Sequence, residues 1–136
     1  MKVYEILNEL VPGADFQVLE PHEMGSDHGR TYPDTGMILI RNDVYARADA
    51  GAGRDRFTMC HELGHLILHR NLALSRIDPA RPPKVYCNSE WQADKFASFL
   101  LMPRSLVGQT SIREAQELFG VTFDAARVRS NEMKNA

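Results

Sequence analysis

Apolar and polar positions in the N-terminal part of the chain predict one helix followed by a small sheet. Residues 3, 6, 7 and 10 are apolar, a spacing that predicts a helix over Val3–Leu10 that ends before Pro12. Phe16–Leu19 could form a short strand, and the compact, partly β-branched run Met37–Ile40 is the best strand candidate in the chain. Residues 20–36 are predicted to form a loop, because prolines and glycines are mixed there with polar side chains.

The C-terminal part of the chain carries stronger helical patterns. A helix is predicted over Arg56–His69, preceded by a small, Gly-rich turn at Ala48–Gly53. Arg76–Lys84 holds three prolines and cannot form a helix. Further helices are predicted over Glu90–Leu101, which Pro103 stops, and over Ile112–Phe119 and Phe123–Met133, which Gly120 divides. Their candidate N-caps are Asn88 or Ser89, Thr110 or Ser111, and Thr122.

Composition and charge describe an ordinary globular chain. With 136 residues, of which 43 % are hydrophobic and 25 % charged, the sequence suits one soluble domain over residues 1–136. The formal net charge of −2 gives no argument for binding nucleic acid or an anionic membrane. No apolar run approaches the roughly 18 residues of a membrane-spanning helix, and the first residues lack the hydrophobic region of a signal peptide. We therefore expect no membrane partner and no direct contact with nucleic acid.

Cysteine usage favours a reducing compartment. Only two cysteines, Cys60 and Cys87, are present, so the chain is not a disulfide scaffold and a cytoplasmic protein is the simplest interpretation. The favoured interpretation makes Cys60 a buried small residue and Cys87 a free thiol. A metal or redox role stays open for both, because they lie close in sequence to the residues with candidate chemistry.

That chemistry centres on the motif His61-Glu62-Leu63-Gly64-His65, an H-E-x-x-H sequence inside the predicted helix. Residues four apart lie on one helix face, so two imidazoles at this spacing can bind one tetrahedral metal ion, with the glutamate beside them as general base. Gly64 weakens a helix by about 1 kcal/mol relative to Ala, which predicts that another element approaches closely there. The alternative is a core helix with two hydrogen-bonded histidines.

A zinc hydrolase needs a third protein ligand and one open position. His69 continues the spacing, but it lies about 12 Å along the helix from His61 and is predicted to be a C-terminal or pocket-wall residue. The metzincin pattern requires Gly and His where this chain has Leu68 and Asn71, so that class is excluded.

Glu90 is the better third ligand, with Asp94 one turn further along the same helix. Two carboxylates beside an apolar stripe are costly unless a cation or a donor compensates them. Glu90 would bind the metal, and Asp94 would accept an N–H from a ligand histidine and orient it. The alternative is a solvated helix edge, and the competing ligands are Cys87, Asp94 itself, His22 and His28.

Two longer phrases, Arg56–His69 and Glu90–Pro103, resemble the ImmA/IrrE family of metallo-endopeptidases, and the resemblance covers about residues 36–130. It implies a small zincin-like α+β domain, in which a short sheet packs beside the active-site helix and further helices follow. The arrangement is similar to that of gluzincins. Carried over by position, the resemblance makes His61, His65 and Glu90 the zinc ligands, Glu62 the catalytic base and Asp94 the residue that orients a ligand.

The resemblance also implies a regulatory peptidase. Several family members cleave a partner helix-turn-helix repressor, so we expect one Zn²⁺ per chain and a repressor of this kind as the protein substrate. Ligand type favours zinc, although manganese or another divalent ion is compatible. An extended substrate could add to a sheet edge, for which Met37–Ile40 is the candidate strand. The candidate oxyanion donors are Tyr86, His22, His28, Tyr32 and Arg104.

Two rival functions use the same residues differently. Ile112–Arg129 has the rhythm of a helix-turn-helix with Gly120 at the turn, but acidic residues offset Arg127 and Arg129, so packing against the catalytic core is favoured over DNA binding. The second rival is a zinc-containing anti-repressor or toxin–antitoxin partner that acts by binding without proteolysis. The intact Glu62 argues against it, because binding alone needs no base.

Overall fold

A three-stranded sheet and nine helices form the part of the chain that this computed structural model describes, residues 2–69 and 88–135. The fold is therefore α+β, as predicted. The elements up to the sheet's last strand are α1 (Lys2–Glu5), α2 (Leu7–Leu10), β1 (Asp15–Leu19), α3 (Pro21–Met24), β2 (Gly29–Tyr32) and β3 (Met37–Arg41). The remaining helices are α4 (Asn42–Asp49), α5 (Gly53–His69), α6 (Ser89–Leu101), α7 (Arg104–Val107), α8 (Ile112–Phe119) and α9 (Phe123–Lys134).

The sheet has the order β1-β3-β2, with β1 parallel and β2 antiparallel to β3. Ile38 and Ile40 of β3 are fully buried because they face α5, the helix that carries the H-E-x-x-H motif. The strand predicted at Met37–Ile40 is thus the central strand and cannot be the edge. Within residues 2–69 and 88–135, the second edge of β2 has no partner strand.

The predicted loop over residues 20–36 is wrong in two places, since it contains α3 and β2. The four residues of β2 lack an apolar alternation, and their extended conformation depends on pairing with β3, which a local pattern does not reveal. The first predicted helix is also divided at Ile6, and α4 and α7 were missed. Arg76–Lys84 lies outside the described residues.

The predicted capping residues mark the starts of α6, α8 and α9. The predicted start of α5 is wrong by three residues, because this helix begins at Gly53 rather than Arg56. The side chain of Asn88 accepts from two backbone amides of α6, so it is the N-cap in preference to Ser89. Ser111 forms a capping box with Glu114 at the start of α8. The side chain of Thr122 caps α9.

Helix α5 is buried between two separate hydrophobic cores. On one side Met59, Leu63 and Leu66 pack with the sheet and the N-terminal helices. On the other side Cys60 packs with α6 and the C-terminal helices, so the prediction of a buried Cys60 is confirmed. Only a narrow stripe of α5 is left for polar side chains, and that stripe carries the two histidines of the motif.

The close approach predicted at Gly64 is confirmed. A Cβ atom on this residue would lie 3.0 Å from Cδ1 of Phe96 and 3.2 Å from Cα of Ala93, both on α6.

The C-terminal helices pack against the core that contains Cys60. They contribute Ala115, Val121 and Ala126 to it, so the predicted packing of this tail is confirmed. No helix among the described residues is long and apolar enough to cross a membrane.

Candidate metal and catalytic site

His61 and His65 lie one turn apart on α5, and their Nε2 atoms are 3.0 Å from each other. Glu90 reaches the same point from the first turn of α6, where Asn88 fixes the start of the helix. Its Oε2 lies 3.0 Å from Nε2 of His61, and its Oε1 lies 3.0 Å from Nε2 of His65. Three potential ligand atoms therefore converge from two helices.

The chemistry of this set fits a divalent cation. Nδ1 of His61 lies 2.7 Å from Oδ1 of Asp94, and since a carboxylate can only accept, Nδ1 donates and Nε2 of a neutral His61 is a lone pair. That lone pair faces the carboxylate of Glu90, which is also an acceptor. Two acceptors at this distance repel unless a proton or a metal ion lies between them. Ligand atoms on tetrahedral zinc are about 3.4 Å apart, close to the spacing observed.

His65 is held in the form that a metal needs. Burial lowers its pKa, and this effect outweighs the opposing attraction of Glu90. A histidine with a lowered pKa is neutral at physiological pH, and the neutral imidazole is the ligand form. The Glu90 side chain is 68 % exposed, so the convergence point is open to solvent on the side of α6.

The side chain of Glu62 contacts β2. Burial raises the pKa of its carboxyl group, although a hydrogen bond donated by the Thr31 hydroxyl opposes the effect. Gly29 leaves room for the side chain, since a Cβ atom there would lie 2.8 Å from Cγ of Glu62. Gly29 leaves space for the Glu62 side chain and Thr31 donates to its carboxylate, so alternate residues of β2 set its position.

A cleft of about 310 Å³ joins the two groups. Strand β2 forms one wall, and the motif helix and α6 form the other. Its lining consists of Gly29, Arg30, Thr31, Tyr32, Pro33, Glu62, His65 and Glu90.

The structure brings together all five residues that the sequence assigned to the site. His61, His65 and Glu90 form the one group with metal-binding geometry among the described residues, Asp94 lies behind His61, and Glu62 lies beside the cleft. Their roles as ligands, base and orienting residue stay predictions. The competing ligands His22 and His28 are not part of that group, and Cys87 lies outside the described residues.

Of the five candidate oxyanion donors, Tyr32 lines the cleft. His22, His28 and Arg104 are not among the lining residues, and Tyr86 lies outside the described part of the chain.

Thr31 was not predicted as a site residue, because it fell in a predicted loop. Gln92 was given no role, and His69 was predicted only to end the helix or to line the wall of a pocket. The four-residue spacing between His65 and His69 could have indicated their contact.

The family model Peptidase_M78, described as the IrrE N-terminal-like domain, matches residues 14–131. That range contains the sheet, the motif helix and all five candidate site residues. No curated protein matches the chain.

Proposed function

The chain belongs to the Peptidase_M78 family of IrrE N-terminal-like domains, and on that premise we propose that it is a zinc-dependent endopeptidase. Membership supports a metallopeptidase-type function. The zinc ion, the endopeptidase activity and the substrate are the proposed part. The observation that carries the proposal is the convergence of His61, His65 and Glu90 on one point, with the buried carboxylate of Glu62 in the adjoining cleft.

The residues of the cleft have distinct tasks in peptide hydrolysis. Zinc held by His61, His65 and Glu90 would supply Lewis acidity, which polarises a carbonyl group and makes water more acidic. Glu62 accepts a proton from the attacking water and passes it to the leaving amine. Its raised pKa suits both transfers, because a base must also be able to act as an acid in the second step.

Strand β2 is the proposed docking edge for the substrate. It lines the cleft and has no partner on its second edge within the described residues, so an extended peptide could pair with it through backbone hydrogen bonds. The phenol of Tyr32 is the proposed donor to the tetrahedral oxyanion, since it is the one candidate within residues 2–69 and 88–135 that lines the cleft.

We propose a helix-turn-helix repressor as the substrate and the cytoplasm as the site of action. The family resemblance supports the first part, and the presence of only two cysteines supports the second. The chain would act on DNA only through such a partner, because the C-terminal helices direct Ala115 and Ala126 into the core and carry mixed charges.

The decisive experiment combines metal analysis with a cleavage assay against the repressor encoded beside this gene. Wild-type protein should hold one zinc per chain and cleave the repressor. Glu62→Gln should hold the same zinc but cleave about 10²–10⁴-fold more slowly, as expected for loss of a general base. Glu117→Gln, at an exposed position of α8, is the matched control and should cleave normally.

Three outcomes would contradict parts of the proposal. A protein without bound metal would exclude the zinc chemistry. Cleavage by Glu62→Gln at the wild-type rate would exclude the assigned base. Stable binding of the intact repressor by zinc-loaded wild-type protein, without cleavage, would favour the rival function of an anti-repressor that acts by sequestration.

A further inference from the structure

His69 is the third histidine of the series on α5, one turn beyond His65, and it is not among the residues that line the cleft. Its Nδ1 is 3.1 Å from Nδ1 of His65, and the residue is buried to 7 % exposure at the C-terminal end of the helix. Its Nε2 is 2.9 Å from Oε1 of Gln92 on α6. Buried imidazoles are expensive unless their nitrogen atoms are hydrogen-bonded, and both nitrogens of His69 have partners.

The positions of the protons follow from the chain of contacts. Oε1 of Gln92 is a carbonyl oxygen and can only accept, so Nε2 of His69 carries the proton. Nδ1 of a neutral His69 is then a lone pair, and it can accept from His65 only if the proton of His65 is on Nδ1. Nε2 of His65 is thereby left as a lone pair directed at the point where Glu90 and His61 converge.

We propose that Gln92 and His69 form a relay that fixes the tautomer and orientation of His65, and so tune the affinity of the site for its metal. The inference rests on the metal site of the proposed function. His69 is a positioning residue here, because it acts through His65. Asp94 performs the corresponding task for His61 with a carboxylate, so the two histidines of the motif are oriented by different chemical groups.

The use of a histidine rather than a carboxylate beside His65 has a physical reason in its surroundings. His65 and His69 lie deeper than Asp94, whose side chain is 57 % exposed, and a buried carboxylate at the position of His69 would carry a large desolvation cost. A ring nitrogen of His69 can supply the acceptor without burying a carboxylate.

The first test reads the protonation of the two rings directly, in zinc-loaded protein without substrate. With ¹⁵N-histidine labelling, long-range ¹H–¹⁵N spectra should show His69 protonated at Nε2 with a bare Nδ1, and the Nδ1–H proton of His65 should exchange slowly with solvent because His69 accepts it. His69→Phe keeps a ring of similar size and removes the acceptor, so the Nδ1–H proton of His65 should exchange rapidly. Protonation of wild-type His69 at Nδ1 would overturn the relay, because two N–H donors cannot form this hydrogen bond.

The second test measures zinc affinity by competition with a chelator. His69→Phe and Gln92→Leu should each weaken zinc binding, by about 10–100-fold for the direct partner His69, as is typical for groups that orient metal ligands. His69→Asn, which places an amide oxygen near the lost Nδ1, should recover part of the affinity. His22→Phe, at an exposed position of α3, is the matched histidine control and should bind zinc as wild type does.

The outcomes separate the relay from the proposed function. Wild-type affinity in both His69→Phe and Gln92→Leu would overturn the relay and leave the zinc peptidase intact. Wild-type protein that binds no zinc would overturn the proposed function, and the tautomer of His69 beside Gln92 would then decide the relay alone. If His69→Phe does not fold, as judged by circular dichroism, Gln92→Leu provides both measurements.

Discussion

The hydroxyl group of Thr31 donates a hydrogen bond to the carboxylate of Glu62, across 31 residues of sequence. This contact joins the strand proposed to receive the substrate to the residue proposed to act as base. Gly29, two residues earlier on the same face of the strand, leaves the space that the Glu62 side chain occupies. The orientation of the base is therefore set by the wall of the cleft as well as by its own helix.

Replacement of Thr31 by Val should slow catalysis while zinc remains bound. The two side chains have the same shape, so the change removes only the hydroxyl, which contacts the carboxylate and the backbone carbonyl of Glu62. A hydrogen bond to a charged group is worth about 1.5–3 kcal/mol. We expect kcat to fall roughly 10–100-fold with a smaller effect on KM. Thr31→Ser keeps the hydroxyl and is the matched control. Equal kcat values for the Val variant and wild type would show that Glu62 does not need this contact.

Asp94→Ala should weaken zinc binding without preventing folding. The carboxylate accepts from Nδ1 of His61 and fixes its tautomer, and loss of such a group typically lowers metal affinity about 10–100-fold. Chelator competition measures the effect, and Glu117→Ala on α8 is the control for removal of an exposed carboxylate. Unchanged affinity in Asp94→Ala would assign this residue to the solvated helix edge that the sequence left as an alternative.

Gly64→Ala should destabilise the protein although alanine favours helices. The added Cβ would lie 3.0 Å from Phe96 and 3.2 Å from the backbone of Ala93, so α5 and α6 must separate. Overpacking of this kind costs about 1–3 kcal/mol, which exceeds the gain of up to about 1 kcal/mol in helix propensity. Urea unfolding should show a lower free energy of unfolding.

Gly108 provides the control for this prediction. It has ordinary helical dihedral angles, and a Cβ atom there would make normal contact, 3.5 Å from Cε of Met133. Gly108→Ala should therefore be neutral or slightly stabilising. A stability gain in Gly64→Ala of the same size as in Gly108→Ala would contradict the tight approach of the two helices.

The thiol of Cys60 should be unreactive in the folded protein. Burial raises its pKa to about 11, so very little thiolate is present near pH 8, and the sulfur is also shielded from reagent. In a Cys87→Ser background, a disulfide reagent should label no thiol in the native protein and one thiol after unfolding in urea. Rapid native labelling at pH 8 would restore the redox role that the sequence left open for this residue.

The parts of the site on helices were predictable from the sequence because helical spacing is local information. Residues four apart share a face, so the two histidines of the motif and the pair Glu90 and Asp94 could each be grouped without knowledge of the fold. The two candidate caps, Asn88 and Ser89, indicated where α6 begins, and Gly64 indicated a close approach by another element, which the structure shows to be α6.

The parts of the site on the sheet could not be predicted in this way. The strand β2 owes its conformation to pairing with β3, and Thr31 becomes important only because that pairing places it opposite Glu62. The relay through Gln92 and His69 likewise depends on how α6 is rotated against α5. Each of these contacts joins residues whose local sequences contain no sign of one another.

The two cores on either side of α5 have a consequence for how the protein tolerates mutation. Substitutions in the sheet-side core or in the C-terminal core would displace the same helix, so residues far from the cleft share control over the spacing of the proposed metal ligands. Arg30 of the short β2 strand lies outside both cores, so its replacement should not displace α5. Selection could therefore change the substrate preference of the proposed peptidase at this position of the cleft while the proposed hydrolytic residues stay unchanged.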